Sequence, residues 1–545
     1  MIDSLLTAEP PVNEVLIETV AEEASSAPES HAVSREVTRH ILAGTSTLGI
    51  AVVIERGATF AANIMSARFA GAAVFGAFSV GISTANNIST YAAGGIGATA
   101  TRFSGKYPYG SDRYTTFAQV LGSISLISAA VAACVLFFGA PLIAHVLHKE
   151  SLTGLLRWAS LPAAGMLLLE CARGFFVGQR RLLALALLSL LVGIGMVAFL
   201  PAAALSKAPA RMVATHGAVT LSAVIVCLVL AKPLGLLIKG SGSPTHFASM
   251  LREVWGFGLI QLSGLLSANL AGWWITALVA RGDSTLVEMG FFAIASQLRN
   301  LTGILPALMT EGSYAAIASP DEEHTHMPQR VMALCTFAST AVSFTLASLG
   351  IILIPWMLRL VYGPRYAGAS VAAAIGMSVA VLQMSNTPPS ARVSVVSIKA
   401  VAAINTLWAV LTAAGGTLLM LRWGDAAGAM AVFFLAHVIT SCLIFLVLAR
   451  KDHLPKGLLS LFALSTGGVI ALSALAVLRE RLGDHSLSIT AAMCLIAILC
   501  TCILYLLAKK HAWMSSLSSI RTHLSSLTAT VRGFVLKAAG RKASL

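Results

Sequence analysis

The chain has 545 residues, 57% of them hydrophobic and only 11% Asp, Glu, Lys or Arg, with a formal net charge of +14. A soluble domain carries roughly 25% charged residues, so this chain can neither coat a soluble globule of its size nor resemble a disordered polymer. Apolar runs of about 20 residues argue for membrane-spanning helices rather than the short alternating strands of a barrel.

Residues 1–40 read as an acidic tail. They hold eight acids against Arg35 and Arg39, together with Pro10, Pro11 and Pro28, a composition that favours disorder. No basic stretch followed by an apolar core is visible there, so a cleavable signal peptide is not expected. From residue 41 the chain is a series of apolar segments, each about long enough to span a ~30 Å hydrocarbon core as a helix. The expected spans are 41–66, 74–100, 117–140, 153–176, 182–205, 212–232, 251–279, 286–314, 331–358, 370–396, 400–421, 426–449, 458–478 and 487–508. The fold class is therefore an all-α polytopic membrane protein of about fourteen transmembrane helices.

Orientation follows from Lys and Arg. With both termini cytoplasmic, 23 of them fall in cytoplasmic segments and 11 on the opposite side, the bias expected of inward-facing loops. The last segment is distinct. Trp513, Leu517, Ile520, Leu524, Leu527, Val531, Phe534 and Ala538 recur every three or four residues, and no acid follows residue 508. A basic amphipathic helix of this kind is expected to lie on anionic membrane lipid. Docking onto a partner or onto the protein's own cytoplasmic face is the alternative.

The stretch Val53-Ile54-Glu55-Arg56-Gly57 is followed by Met65-Ser66-Ala67-Arg68-Phe69-Ala70-Gly71 and Phe75-Gly76-Ala77-Phe78. Arg102-Phe103-Ser104-Gly105-Lys106-Tyr107 closes the second span, and Met289-Gly290-Phe291-Phe292-Ala293-Ile294-Ala295 precedes Arg299. Pro355-Trp356-Met357-Leu358-Arg359-Leu360-Val361-Tyr362-Gly363 precedes Tyr366. These elements, in this order and spacing, resemble the polysaccharide repeat-unit flippases of the multidrug/oligosaccharidyl-lipid/polysaccharide exporter superfamily. Phe292 departs from the pattern, standing where that family usually has Tyr.

The resemblance implies two six-helix bundles around a central cavity, 41–232 and 251–449. Two additional helices (458–508) would follow, then the interfacial helix (509–545). It also implies alternating access and a cargo of undecaprenyl-pyrophosphate-linked oligosaccharide, moved between leaflets of the cell inner membrane for exopolysaccharide or other surface polysaccharide synthesis. Polysaccharide polymerase and export machinery would be partners. The competing expectations are a cation-coupled multidrug exporter of the same superfamily and a peptidoglycan lipid-precursor flippase.

Ionisable residues inside a membrane are functional candidates by default. Arg56 and Arg299 lie near the middle of the first and eighth spans, and Arg392 follows Asn386-Thr387-Pro388-Pro389. A guanidinium fork suits a pyrophosphate; a structural ion pair is the competing role. Pro388 and Pro389 are expected to break or kink their helix and free carbonyls towards the cavity. Glu55 is the candidate for ion or proton coupling, pointing about 100° away from Arg56. Glu170 can meet Arg173 at i, i+3, as a gate or as a plain salt bridge. Asn63, Asn86, Asn87, Gln261, Asn269, Gln297, Asn300 and Gln383 either bind sugar hydroxyls or bond helix to helix.

His216 and His437 are expected to pack, as are Trp273 and Trp274. The eight cysteines all lie in apolar runs and read as small buried hydrophobes. Gly95-Ile96-Gly97-Ala98-Thr99-Ala100 superficially fits a dinucleotide fingerprint but lacks a βαβ context, so small-residue packing is the reading. Neither metal-ligand spacing nor any motif of an ATPase, hydrolase or glycosyltransferase is present, so no cofactor, no nucleic-acid partner and no enzymatic activity are expected. The membrane-surface reading of the C-terminus has a direct check. Phe534→Asp is expected to weaken partitioning of the 509–545 peptide onto anionic vesicles, and an unchanged partition coefficient would count against it.

Overall fold

The computed structural model describes residues 53–108, 110–231, 247–318, 327–420, 424–482 and 487–511. The expected acidic tail and all but the first three residues of the expected interfacial helix lie outside these residues. Every regular element among the described residues is helical, and none is a strand. In chain order the longer ones are α1 (53–70), α2 (Ala72–Ala93), α3 (Ile96–Lys106), α4 (Asp112–Val146), α5 (Ser160–Gly178), α6 (Leu182–Leu205), α7 (Pro209–Ala231) and α8 (Phe247–Gly282). There follow α9 (Val287–Ala318), α10 (Met327–Met357), α11 (Ser370–Val396), α12 (Ile398–Met420), α13 (Ala426–Arg450), α14 (Leu458–Leu482) and α15 (Leu487–Lys510).

Among the described residues ten helices are long and apolar enough to cross a membrane, and the chain is a multi-pass membrane protein. Four of the fourteen expected spans are not among these ten: α1, the α2–α3 pair, α8 and α9. These four carry Asn63, Asn86, Asn87, Asn269, Gln297, Arg299 and Asn300.

The second expected span, written as one helix over 74–100, is broken. Gly94 (φ 50) and Gly95 (φ 76) take the left-handed conformation and end α2 before α3 begins. Only glycine adopts two successive residues of this kind without steric cost. Beyond the break, α3 lies directly against α5. A Cβ on Gly174 would overlap the Gly97 carbonyl, and one on Gly178 would overlap the Ser104 side chain. The glycine-rich stretch is thus a close helix–helix contact.

Helices α2 to α7 pack among themselves, with α5 against α3, α4 and α7. In the second group α11 is central, contacting α9, α10 and α13, while α14 and α15 attach to α10 and α11. Intramembrane prolines shape this group. Pro388 and Pro389 do not break α11, which runs unbroken from Ser370 to Val396. The carbonyl that Pro388 leaves without a donor belongs to Met384. It accepts the hydroxyl of Ser339 from α10 at 3.1 Å, so it turns to a neighbouring helix and not to a cavity.

Pro355 in α10 likewise frees the Ile351 carbonyl. Arg479 supplies the donor, with Nη2 at 3.1 Å from Ile351 O and Nη1 at 2.9 Å from Ile352 O. The sequence reading put Arg479 in an outer loop after a span ending at 478. The structure instead carries α14 to Leu482 and leaves Arg479 2% exposed. Arg479→Leu is expected to lower the thermal unfolding midpoint in detergent, since stranded carbonyls cost about 1–3 kcal/mol each. An unchanged midpoint would show that α10 does not depend on this residue.

Candidate functional site

The two groups of helices meet around a cavity of about 420 Å³. From the first group come Asn63 on α1, then Phe75, Phe78, Ser79, Ser83, Asn86 and Asn87 on α2, with Met166 on α5 and His216 on α7. From the second come Asn269, Trp273 and Thr276 on α8, Met289, Phe292, Ser296, Gln297, Arg299 and Asn300 on α9, and Phe433 on α13. The α2 and α9 residues recur every three or four positions, so each helix turns one mixed polar stripe inward. Among the described lining residues Arg299 is the one charged side chain, and none is a carboxylate.

Aromatic rings build the wall beneath Arg299. Phe292 stacks on Phe433 with centroids 6.3 Å apart and planes 22° apart. Trp408 also stacks on Phe433, at 6.1 Å and 12°. The Arg299 guanidinium carbon lies 5.2 Å from the Phe433 centroid, a cation–π distance. Its Nε is buried and has no hydrogen-bond partner among the described residues. The same holds for Gln297 Oε1 and His216 Nδ1.

Six of the eight amides singled out in the sequence line this cavity, together with Arg299; Gln383 is not among its lining residues, and the Gln261 side chain lies outside the described ones. One of them also ties the groups together, since Asn87 Nδ2 donates to Asn269 O at 2.8 Å. Trp273 Nε1 donates to Thr84 Oγ1 at 3.1 Å, again from α8 to α2. The other candidates lie elsewhere. Arg56 is exposed on α1, seven residues before Asn63 and so on the same helical face, about two turns away. Arg392 is 2% exposed on α11 and donates to Ile317 O at 3.3 Å, one of the last carbonyls of α9. A cation there complements the negative end of that helix.

Glu55 forms an ion pair with Arg173 of α5, and Arg173 also lies 3.9 Å from Glu170. Arg173 thus ties α1 to α5 through Glu55, with Glu170 beside it on α5, and Arg56 lies within electrostatic reach of Glu170. The i, i+3 contact was legible in the sequence, whereas the Glu55 contact spans 118 positions and left no local signal. His216, expected to pack, is a cavity residue, and the role of Phe433 and Trp408 carried no sequence signal either.

The cavity has contacts between the two groups at both ends. At one end α2 crosses α9 at backbone distance: a Cβ on Gly76 would overlap the Leu286 carbonyl, and one on Gly290 the Ala72 carbonyl. Leu286 there has φ 62, a conformation costly for a branched side chain. Beside it Tyr366 Oη donates to Ala67 O at 3.0 Å, and Arg68 Nη1 to Leu360 O at 2.6 Å. At the other end Lys106 Nζ lies 3.0 Å from the Glu253 carboxylate. Gly290→Leu is expected to force the α2–α9 crossing apart. Labelling of Ser79→Cys by a membrane-impermeant maleimide would then rise, and unchanged labelling would show that the crossing does not close the cavity.

The family model described as "Polysaccharide biosynthesis protein" matches residues 41–313. No curated protein matches the chain. Among solved structures it is similar to a lipid II flippase MurJ in an inward closed conformation, with 12% identity and a TM-score of 0.62 over 85% of this chain and 99% of that one. It is also similar to an inward-facing multidrug resistance MATE family transporter of the MOP superfamily, with 14% identity and a TM-score of 0.56 over 73% of this chain and 95% of the other. At such identities the likeness is one of fold: two groups of helices about a central cavity. With half of its length matched by the family model, the chain belongs to the polysaccharide biosynthesis protein family.

Proposed function

We propose that this protein is a flippase that moves an undecaprenyl-pyrophosphate-linked oligosaccharide repeat unit from the inner to the outer leaflet of the cytoplasmic membrane by alternating access. The observation that carries this reading is the lining of the central cavity: amides, hydroxyls and aromatic rings around one unpaired guanidinium, with no carboxylate among the described residues. Amides and hydroxyls suit a polyol, aromatic faces suit sugar rings, and a desolvated guanidinium suits a phosphate. A cation-coupled drug exporter would instead need an acidic side chain where its cationic cargo sits.

In this reading Arg56 meets the pyrophosphate at the mouth of the cavity and Arg299 holds it within. Arg392 secures the end of α9, the helix that carries Arg299. Glu55 pairs with Arg173 across to α5, where Glu170 competes for the same guanidinium, so a proton or cation that neutralises Glu55 loosens α1 from α5, and one that neutralises Glu170 leaves Arg173 to Glu55. That is the coupling role we assign to them. Polymerase and export machinery on the receiving side would draw the product onward.

The test is reconstitution of the full chain in liposomes carrying a pyrophosphate-linked saccharide in one leaflet, with transfer read by its exposure to an external galactosyltransferase or oxidant. Arg299→Ala is expected to slow transfer at least tenfold, about 1.4 kcal/mol or more of lost interaction. Arg299→Lys would retain part of it, because a point charge replaces the fork. Wild-type rates in Arg299→Ala would remove the pyrophosphate role, and transport of cationic dyes in place of the lipid would favour the drug exporter.

A further inference from the structure

Three polar atoms on the cavity wall are buried and lack a hydrogen-bond partner among the described residues: His216 Nδ1, Gln297 Oε1 and Arg299 Nε. His216 comes from α7 in the first group of helices, while Gln297 and Arg299 come from α9 in the second. His216 is 9% exposed, and its ring lies 6.4 Å from that of Phe78, another cavity residue. Leaving such groups unsatisfied costs about 1–3 kcal/mol each, and natural structures keep few of them without a reason. Elsewhere in this protein polar groups set free inside helices find partners, as Met384 O and Ile351 O do. Some buried side-chain atoms away from the cavity, such as Ser348 Oγ and Thr466 Oγ1, also lack a partner among the described residues; the three here are distinguished because their side chains, from both groups of helices, line a cavity that an external partner can enter.

The three atoms do not ask for the same partner. Arg299 Nε is a pure donor and suits an anion. Gln297 Oε1 accepts and cannot bind a fully ionised phosphate. His216 Nδ1 donates or accepts according to tautomer. A hydroxyl group satisfies both of these, because it donates and accepts and can rotate to either role. The assignment survives reversal of the Gln297 amide for the same reason.

We propose that His216 and Gln297 are specificity-determining residues that read hydroxyl groups on the saccharide of the cargo, leaving Arg299 to hold its acidic part. This rests on the flippase reading above and deepens it. It gives the two groups of helices separate duties: α7 contributes a sugar contact only, and α9 contributes both kinds. The sugar then bridges the two groups while the cavity is closed, and it is released from one wall when they part.

The experiment uses the purified full-length protein and two short-chain probes, citronellyl pyrophosphate and citronellyl pyrophosphate N-acetylglucosamine, with binding read by quenching of tryptophan fluorescence. His216→Leu is expected to weaken the sugar-bearing probe about tenfold and to leave the sugar-free probe unchanged. His216→Gln, which keeps hydrogen-bonding capacity, is expected to restore most of the difference, and this separates recognition from loss of fold. Gln297→Leu should behave like His216→Leu, whereas Arg299→Gln should weaken both probes. Equal losses for both probes in His216→Leu, or no loss for either while the wild type binds both, would overturn the assignment and leave the flippase reading standing. Failure of the wild type to bind either probe would overturn the flippase reading and this assignment with it.

Discussion

Inside hydrocarbon no water is available to a bare carbonyl, amide or charge, so the protein must satisfy these groups itself. Most of the architecture follows from that constraint. Pro388 and Pro355 each remove a backbone donor, and Ser339 and Arg479 each restore one from a neighbouring helix. Arg392 serves the exposed carbonyl end of α9. Glu55, a lone acid on the first helix, is neutralised by Arg173 across to α5. Each of these bonds spends a polar side chain on holding helices together, and each is explained without reference to any cargo. The cavity differs in that its unmatched atoms, on His216, Gln297 and Arg299, belong to side chains that line a space a ligand can fill.

The helices were legible in the sequence because the apolar runs match the thickness of a bilayer. The cavity-lining amides were legible for the converse reason: Asn63, Asn86, Asn87, Asn269, Gln297 and Asn300 interrupt those runs, and a polar group in lipid must face something. Arg299 could be found in the same way. What could not be read is which of three charges faces the cavity and which faces protein. Arg56, Arg299 and Arg392 look alike in sequence, yet one is exposed, one lines the cavity and one caps a helix. That depends on contacts between residues far apart in the chain. The break at Gly94-Gly95 was missed because glycine also serves close helix packing, and here the two uses are adjacent, with Gly97 against Gly174.

Polarity and glycine are divided between different jobs along α2. Gly76 lets α2 reach the backbone of α9 at one end. One and two turns further on, Ser79, Ser83 and Asn86 face the cavity. Near the far end Asn87 bonds to α8. A single helix therefore touches both α8 and α9 and lines the space between them. Motion of α2 relative to α9 would change the cavity and the crossing together, because both lie on the same face of one rod.

The Arg479 bonds have a consequence for the outermost helices. A pair of helices held only by apolar packing could be shed or exchanged with little penalty, because lipid tails would replace protein as neighbours. Here α14 supplies the donors for two carbonyls next to a proline in α10. Shortening the chain before Leu458 would leave those carbonyls facing oil. The last two helices are in that sense the missing half of α10, and a domain boundary drawn at residue 450 would cut through a shared hydrogen-bond system.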